Sequence, residues 1–193
     1  MLADSRLNIY IAGADLSPRQ RERIQAQLQT ALRSLPPWVF DLLQRRLQQL
    51  GAQNFPVVVE PAPRGQTGGR AFSLGHIEGR PAVRLYPRLA AAEIDWGQPL
   101  RQLLLKAAAY LAAPPPTDAA FWQGWSRAVQ SDALRSKAAQ SGQHWAQATD
   151  LDLLLEMFAS YALNPEHARW RDLPAVRAFL REWAAPARPT SNL

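Results

Sequence analysis

The chain of 193 residues is long enough to bury a sizeable core, and its 47% hydrophobic and 20% charged content excludes a disordered polyelectrolyte. Its net charge of +6 comes from 22 basic residues, of which only Lys106 and Lys137 are lysines. The arginines are scattered from Arg6 to Arg188 with no basic run interleaved with aromatics, so a solvated surface is expected and nucleic acid is not an expected partner.

In chain order, residues 1–16 hold the apolar stretch Leu7-Asn-Ile-Tyr-Ile11, expected to add a strand to a sheet edge. Ser17-Pro18-Arg-Gln20 reads as a helix start, with Ser as N-cap, Pro at the first helical position and Gln closing a capping box. Ile24, Leu28 and Leu32 then recur at i, i+4 and i+8, giving a helix that ends near Ser34. Pro36 and Pro37 open a second helix, in which Phe40, Leu43, Leu47 and Leu50 share a face before Gly51 stops it. Val57-Val-Val59 is short and β-branched, which favours a strand. Pro63 to Gly69 is a loop, and it lacks the Gly-Lys-Ser/Thr ending of a phosphate-binding loop. Ala82, Arg84 and Tyr86 alternate with Val83 and Leu85, a strand with one buried face.

From Pro99 the chain reads as helical. Leu100 to Leu111 is apolar on nearly all sides and is expected to be a central buried helix. Ala112-Ala-Pro-Pro-Pro-Thr-Asp118 ends it and caps a helix carrying Phe121, Trp122 and Trp125, aromatics expected in the core. Thr149-Asp150 begins the helix that carries Glu156. Trp170 to Trp183 is a last amphipathic helix with Leu173, Val176, Leu180 and Trp183 inward. Residues 185–193, with Pro186 and Pro189, read as a flexible tail. No apolar run approaches the roughly 20 residues of a membrane span. The opening Met1-Leu-Ala-Asp-Ser-Arg6 lacks the pattern of a cleavable signal. The default expectation is a cytoplasmic protein, although export by a specialised secretion machine would leave no such mark.

Two segments carry the functional reading: Leu103-Leu-Leu-Lys106-Ala-Ala-Ala-Tyr110-Leu-Ala112, and Leu153-Leu-Leu-Glu156-Met-Phe158-Ala159-Ser-Tyr161-Ala-Leu-Asn164-Pro165. Glu156 stands 46 residues after Tyr110. Their order and spacing resemble the gluzincin-type zinc peptidase domain of the anthrax lethal factor family, in which a Glu-x-Phe-Ala helix follows a His-Glu-x-x-His helix. Leu35-Pro-Pro-Trp-Val-Phe40, Phe55-Pro-Val-Val-Val-Glu60 and Gly79-Arg-Pro-Ala-Val-Arg-Leu-Tyr86 extend the likeness to roughly residues 35–184. The resemblance implies an α+β fold, a small twisted β-sheet packed against several α-helices. It makes 17–184 a single metallopeptidase-like domain.

The departure from the family is chemical. A zinc peptidase helix places two imidazoles at i and i+4 on one face with a Glu beside the metal-bound water. Here Lys106, Ala107 and Tyr110 stand at those positions, leaving Glu156 as the remnant of a vestigial cleft. Lys is protonated at neutral pH and repels a cation. His76, His144 and His167 share no i, i+4 spacing, Cys is absent, and no Gly-x-Ser-x-Gly elbow occurs. No catalytic residue, metal ligand or cofactor is therefore assigned. Without zinc, Glu156 would need a positive partner, which Lys106 can supply from inside the fold. The expected function is a catalytically inactive, peptidase-like module that binds a protein or peptide. The resemblance places its docking edge at Ala82, Val83, Arg84, Leu85 and Tyr86, where an extended segment could add by main-chain pairing. A toxin-like effector or hydrolase with another site, and an assembly component with a filled cleft, are the alternatives. The oligomeric state is left open.

Overall fold

The computed structural model describes residues 10–12, 17–42, 56–59, 72–77, 80–85 and 97–185. The chain divides into two compact units, Met1–Ala112 and Ala113–Leu193, inside the stretch expected as one domain.

In the first unit, helix α1 spans Pro18–Arg33. Its first turn closes where the Arg21 N–H donates to the Ser17 carbonyl at 3.1 Å. Pro18 suits that turn because its missing N–H would have had no helical partner. Ile24, Leu28 and Leu32 are buried, together with Ala31, Leu35 and Val39. The end is tightened by Ser34 Oγ donating to the Ala31 carbonyl at 2.7 Å. Residues 37–42 are helical again, while Leu43, Leu47 and Leu50 lie outside the described residues.

Four short strands follow one another as β1 (Tyr10–Ala12), β2 (Pro56–Val59), β3 (Phe72–Ile77) and β4 (Arg80–Leu85), in the spatial order β1-β2-β4-β3. β1 lies parallel to β2, with Ile11 opposite Val57, and β2 lies parallel to β4, with Val58 opposite Arg84. β3 and β4 pair antiparallel, with Leu74 opposite Val83. Helix α2 (Gly97–Ala112) neighbours α1 and also lies along β4. Leu100, Leu103, Leu104, Leu105, Ala107, Ala108 and Ala109 are all buried, as an apolar circumference requires.

The described residues of the second unit contain helices and no strand. They are α3 (Ala119–Ser131), α4 (Leu134–Gln140), a 3-10 turn (His144–Gln147), α5 (Asp150–Leu163), a second 3-10 turn (Ala168–Arg171) and α6 (Pro174–Ala184). Asp118 caps α3 by accepting from the Phe121 N–H at 3.1 Å. Thr149 caps α5, accepting from the Asp152 N–H at 3.1 Å and donating to Asp152 Oδ2 at 2.8 Å. Trp125, Phe158, Trp170, Leu134, Leu153, Leu154, Val176 and Leu180 form the largest part of the core. α3 and α6 approach closely at Gly124, where a Cβ would stand 3.3 Å from Phe179 Cε2.

Three expectations are corrected. The α+β class, a small twisted sheet packed against several helices in gluzincin fashion, does not describe the chain. The described residues are predominantly helical, and every described element of the second unit is a helix or a 3-10 turn. Short β-branched runs favour strands locally, whereas long helices make up most of the described residues. The segment around Ala82, Val83, Arg84 and Leu85 is no edge strand: β4 is paired with β2 on one side and β3 on the other, and Tyr86 lies outside the described residues. One-sided alternation reports which face is buried and carries no information about which edges are paired. Finally, Trp170 belongs to a 3-10 turn, and the last helix begins at Pro174.

Candidate functional site

Lys106, Ala107 and Tyr110 sit in α2 of the first unit, and Glu156 sits in α5 of the second. Lys106 and Tyr110, one turn apart on the same face, are half-buried and continue the stripe of exposed Gln102. Ala107, which only the sequence resemblance sets at a general-base position, is 0% exposed. Lys106, Tyr110 and Glu156 each have an interaction partner. Among the described residues no group of three or more His, Asp or Glu side chains could hold a metal ion.

Around Glu156 the second unit builds a local network that periodicity did not reveal. Glu156 and Ser160 share one stripe of α5, between exposed Asp152 and half-buried Leu163. The Arg169 guanidinium reaches that stripe from the second 3-10 turn. It donates to Ser160 Oγ at 2.7 Å and lies 3.6 Å from Met157 Sδ. Its carbon stands 4.8 Å from the centroid of the Trp170 ring. Burial lowers the pKa of Arg169, and the nearby Glu156 carboxylate acts in the opposite direction. Within this unit the Arg169 guanidinium and the Glu156 carboxylate therefore attract one another.

The Phe-Ala-x-Tyr-x-x-Asn-Pro wording has local packing roles. The Phe158 ring meets Trp183 edge-on with centroids 5.1 Å apart, and Ala159 is buried beside it. Tyr161 meets Trp170 edge-on at 5.6 Å, and Trp170 Nε1 donates to the Asn164 carbonyl at 2.9 Å. His167 Nδ1 accepts from the Arg169 N–H at 3.1 Å and so caps the second 3-10 turn.

Other charged side chains of this unit are turned onto backbone. Asp132 is buried and accepts from the N–H groups of Ala175 at 3.2 Å and Val176 at 2.8 Å, capping α6 from across the unit. Arg135 donates to the carbonyls of Ala146 and Ala148 and to Asp150 Oδ1, holding the first 3-10 turn against the start of α5. Lys137 Nζ donates to the Asp172 carbonyl at 2.7 Å. These roles were unreadable from sequence because their partners lie 11 to 44 residues away. No protein-family model, curated protein or solved structure matches this chain.

Proposed function

We propose that this protein is a non-catalytic module, peptidase-like in the wording of two helices, that acts by binding a protein or peptide partner. The observation that carries this reading is Ala107. The position that would activate a metal-bound water is a methyl group closed inside the core, flanked by Lys106 and Tyr110 where imidazoles would stand.

The test is elemental analysis after dialysis against trace zinc, with a protease assay on denatured substrate run alongside. The expected result is no stoichiometric zinc and no cleavage. One zinc per chain, lost together with proteolysis in Glu156→Ala, would overturn the reading.

A further inference from the structure

Resting on the reading as a partner-binding module, we infer that the partner is a carboxylate-rich protein segment, docking on the first unit along the outer face of α1. The motive is where the charge lies. Residues 1–112 carry 14 basic and 8 acidic residues, whereas residues 113–193 carry 8 of each, so the entire net charge of +6 belongs to the first unit. Such segregation sets up a one-sided field that concentrates acidic partners on one half of the chain.

Within that unit, α1 arranges the charge in a line. Arg19, Arg23, Ala26, Thr30 and Arg33 follow i, i+4, i+7, i+11 and i+14, the stripe opposite buried Ile24, Leu28 and Ala31. Arg19, Ala26, Thr30 and Arg33 are exposed and Arg23 is half-buried. At 1.5 Å per residue the line is about 21 Å long. Small side chains fill its middle, and Thr30 Oγ1 donates back to the Ala26 carbonyl at 2.9 Å, so its hydroxyl proton is held within the helix. The planar guanidinium fork matches a carboxylate with two parallel hydrogen bonds, which a lysine cannot do.

Two other anionic partners fit less well. A nucleic acid held by its backbone gains affinity with each phosphate neutralised, whereas α1 has four arginines offset by one glutamate and no aromatic ring on which a base could stack. A membrane surface needs large apolar side chains beside the basic ones, and the outward stripe offers only Ala26 and Thr30.

The experiment uses the full chain and fluorescence anisotropy of a Glu-rich peptide, with an oligothymidylate of equal length as the competing probe. The expected result is saturable peptide binding that loosens as salt is added. It should weaken by about fivefold or more in the triple variant R19Q/R23Q/R33Q, as the loss of two exposed ion pairs and one half-buried one would give. The control R127Q/R171Q/R181Q removes equal charge from the second unit and should leave affinity within about twofold. If the triple variant loses its helical circular dichroism, R19Q and R33Q are read singly, each weakening binding about twofold. Absence of peptide binding, equal loss in both triple variants, or tighter binding of the oligothymidylate would overturn the inference. Failure here without proteolysis sinks the acidic partner alone, whereas zinc-dependent cleavage by the same preparation sinks the underlying reading.

Discussion

Asp132 shows how much one side chain can decide in this protein. Its two oxygens satisfy the Ala175 and Val176 N–H groups at the start of α6, where Leu173 in the N-cap position offers no side-chain acceptor. Asp132→Ala would strand two donors beside a buried site and is expected to lower stability by about 2 kcal/mol, read from the urea midpoint. Asp132→Asn keeps one acceptor oxygen and should lose about half as much. Its neighbour makes the opposite prediction. Ala133 adopts φ of 48° and ψ of 37° between α3 and α4, a left-handed conformation in which a Cβ crowds the following carbonyl. Ala133→Gly relieves that crowding and loses some of the gain to the freer unfolded chain. A net stabilisation of about 0.5 kcal/mol is expected in the same assay.

At the scale of elements, the helices of the second unit are tied together through their ends. Arg135 joins α4 to the first 3-10 turn and to Asp150 by three hydrogen bonds, two of them to main-chain carbonyls. The part-buried carbonyl bonds matter more than the exposed ion pair with Asp150, because exposed pairs contribute about 0–1 kcal/mol. Arg135→Lys keeps the charge but cannot reach all three acceptors from one planar group. A loss of about 1 kcal/mol is expected, together with faster hydrogen exchange at the start of α5. Unchanged exchange in Arg135→Lys would show that the turn does not depend on the guanidinium. Signals for these elements were unevenly legible. Thr149 and Asp118 are caps that announce their helices locally, and both do cap. β3 escaped notice because Phe72-Ser-Leu-Gly-His-Ile77 has neither a β-branched run nor a long alternation.

For the whole molecule, helical predominance has a direct spectroscopic consequence. The far-ultraviolet circular dichroism should carry the helical double minimum, and a spectrum dominated by strand would contradict this architecture. No helix among the described residues is long and apolar enough to cross a membrane. The net charge of +6 is carried by residues 1–112, residues 113–193 being balanced.

Features that depend on neighbours a few residues apart are legible without the fold. The start of α1 at Pro18, the burial of Ile24, Leu28 and Leu32, and the closed circumference of α2 follow from capping chemistry and helical period. The burial of Ala107 likewise follows from the leucines and alanines around it. Long-range packing decides which strand edges are paired, that Arg169 donates to Ser160, and that Asp132 caps a helix more than 40 residues later. Periodicity specifies which face of an element turns inward. The polar groups that meet there are chosen by chain crossings, which leave no local trace, and the cost of leaving a buried polar group without a partner then fixes their pairing.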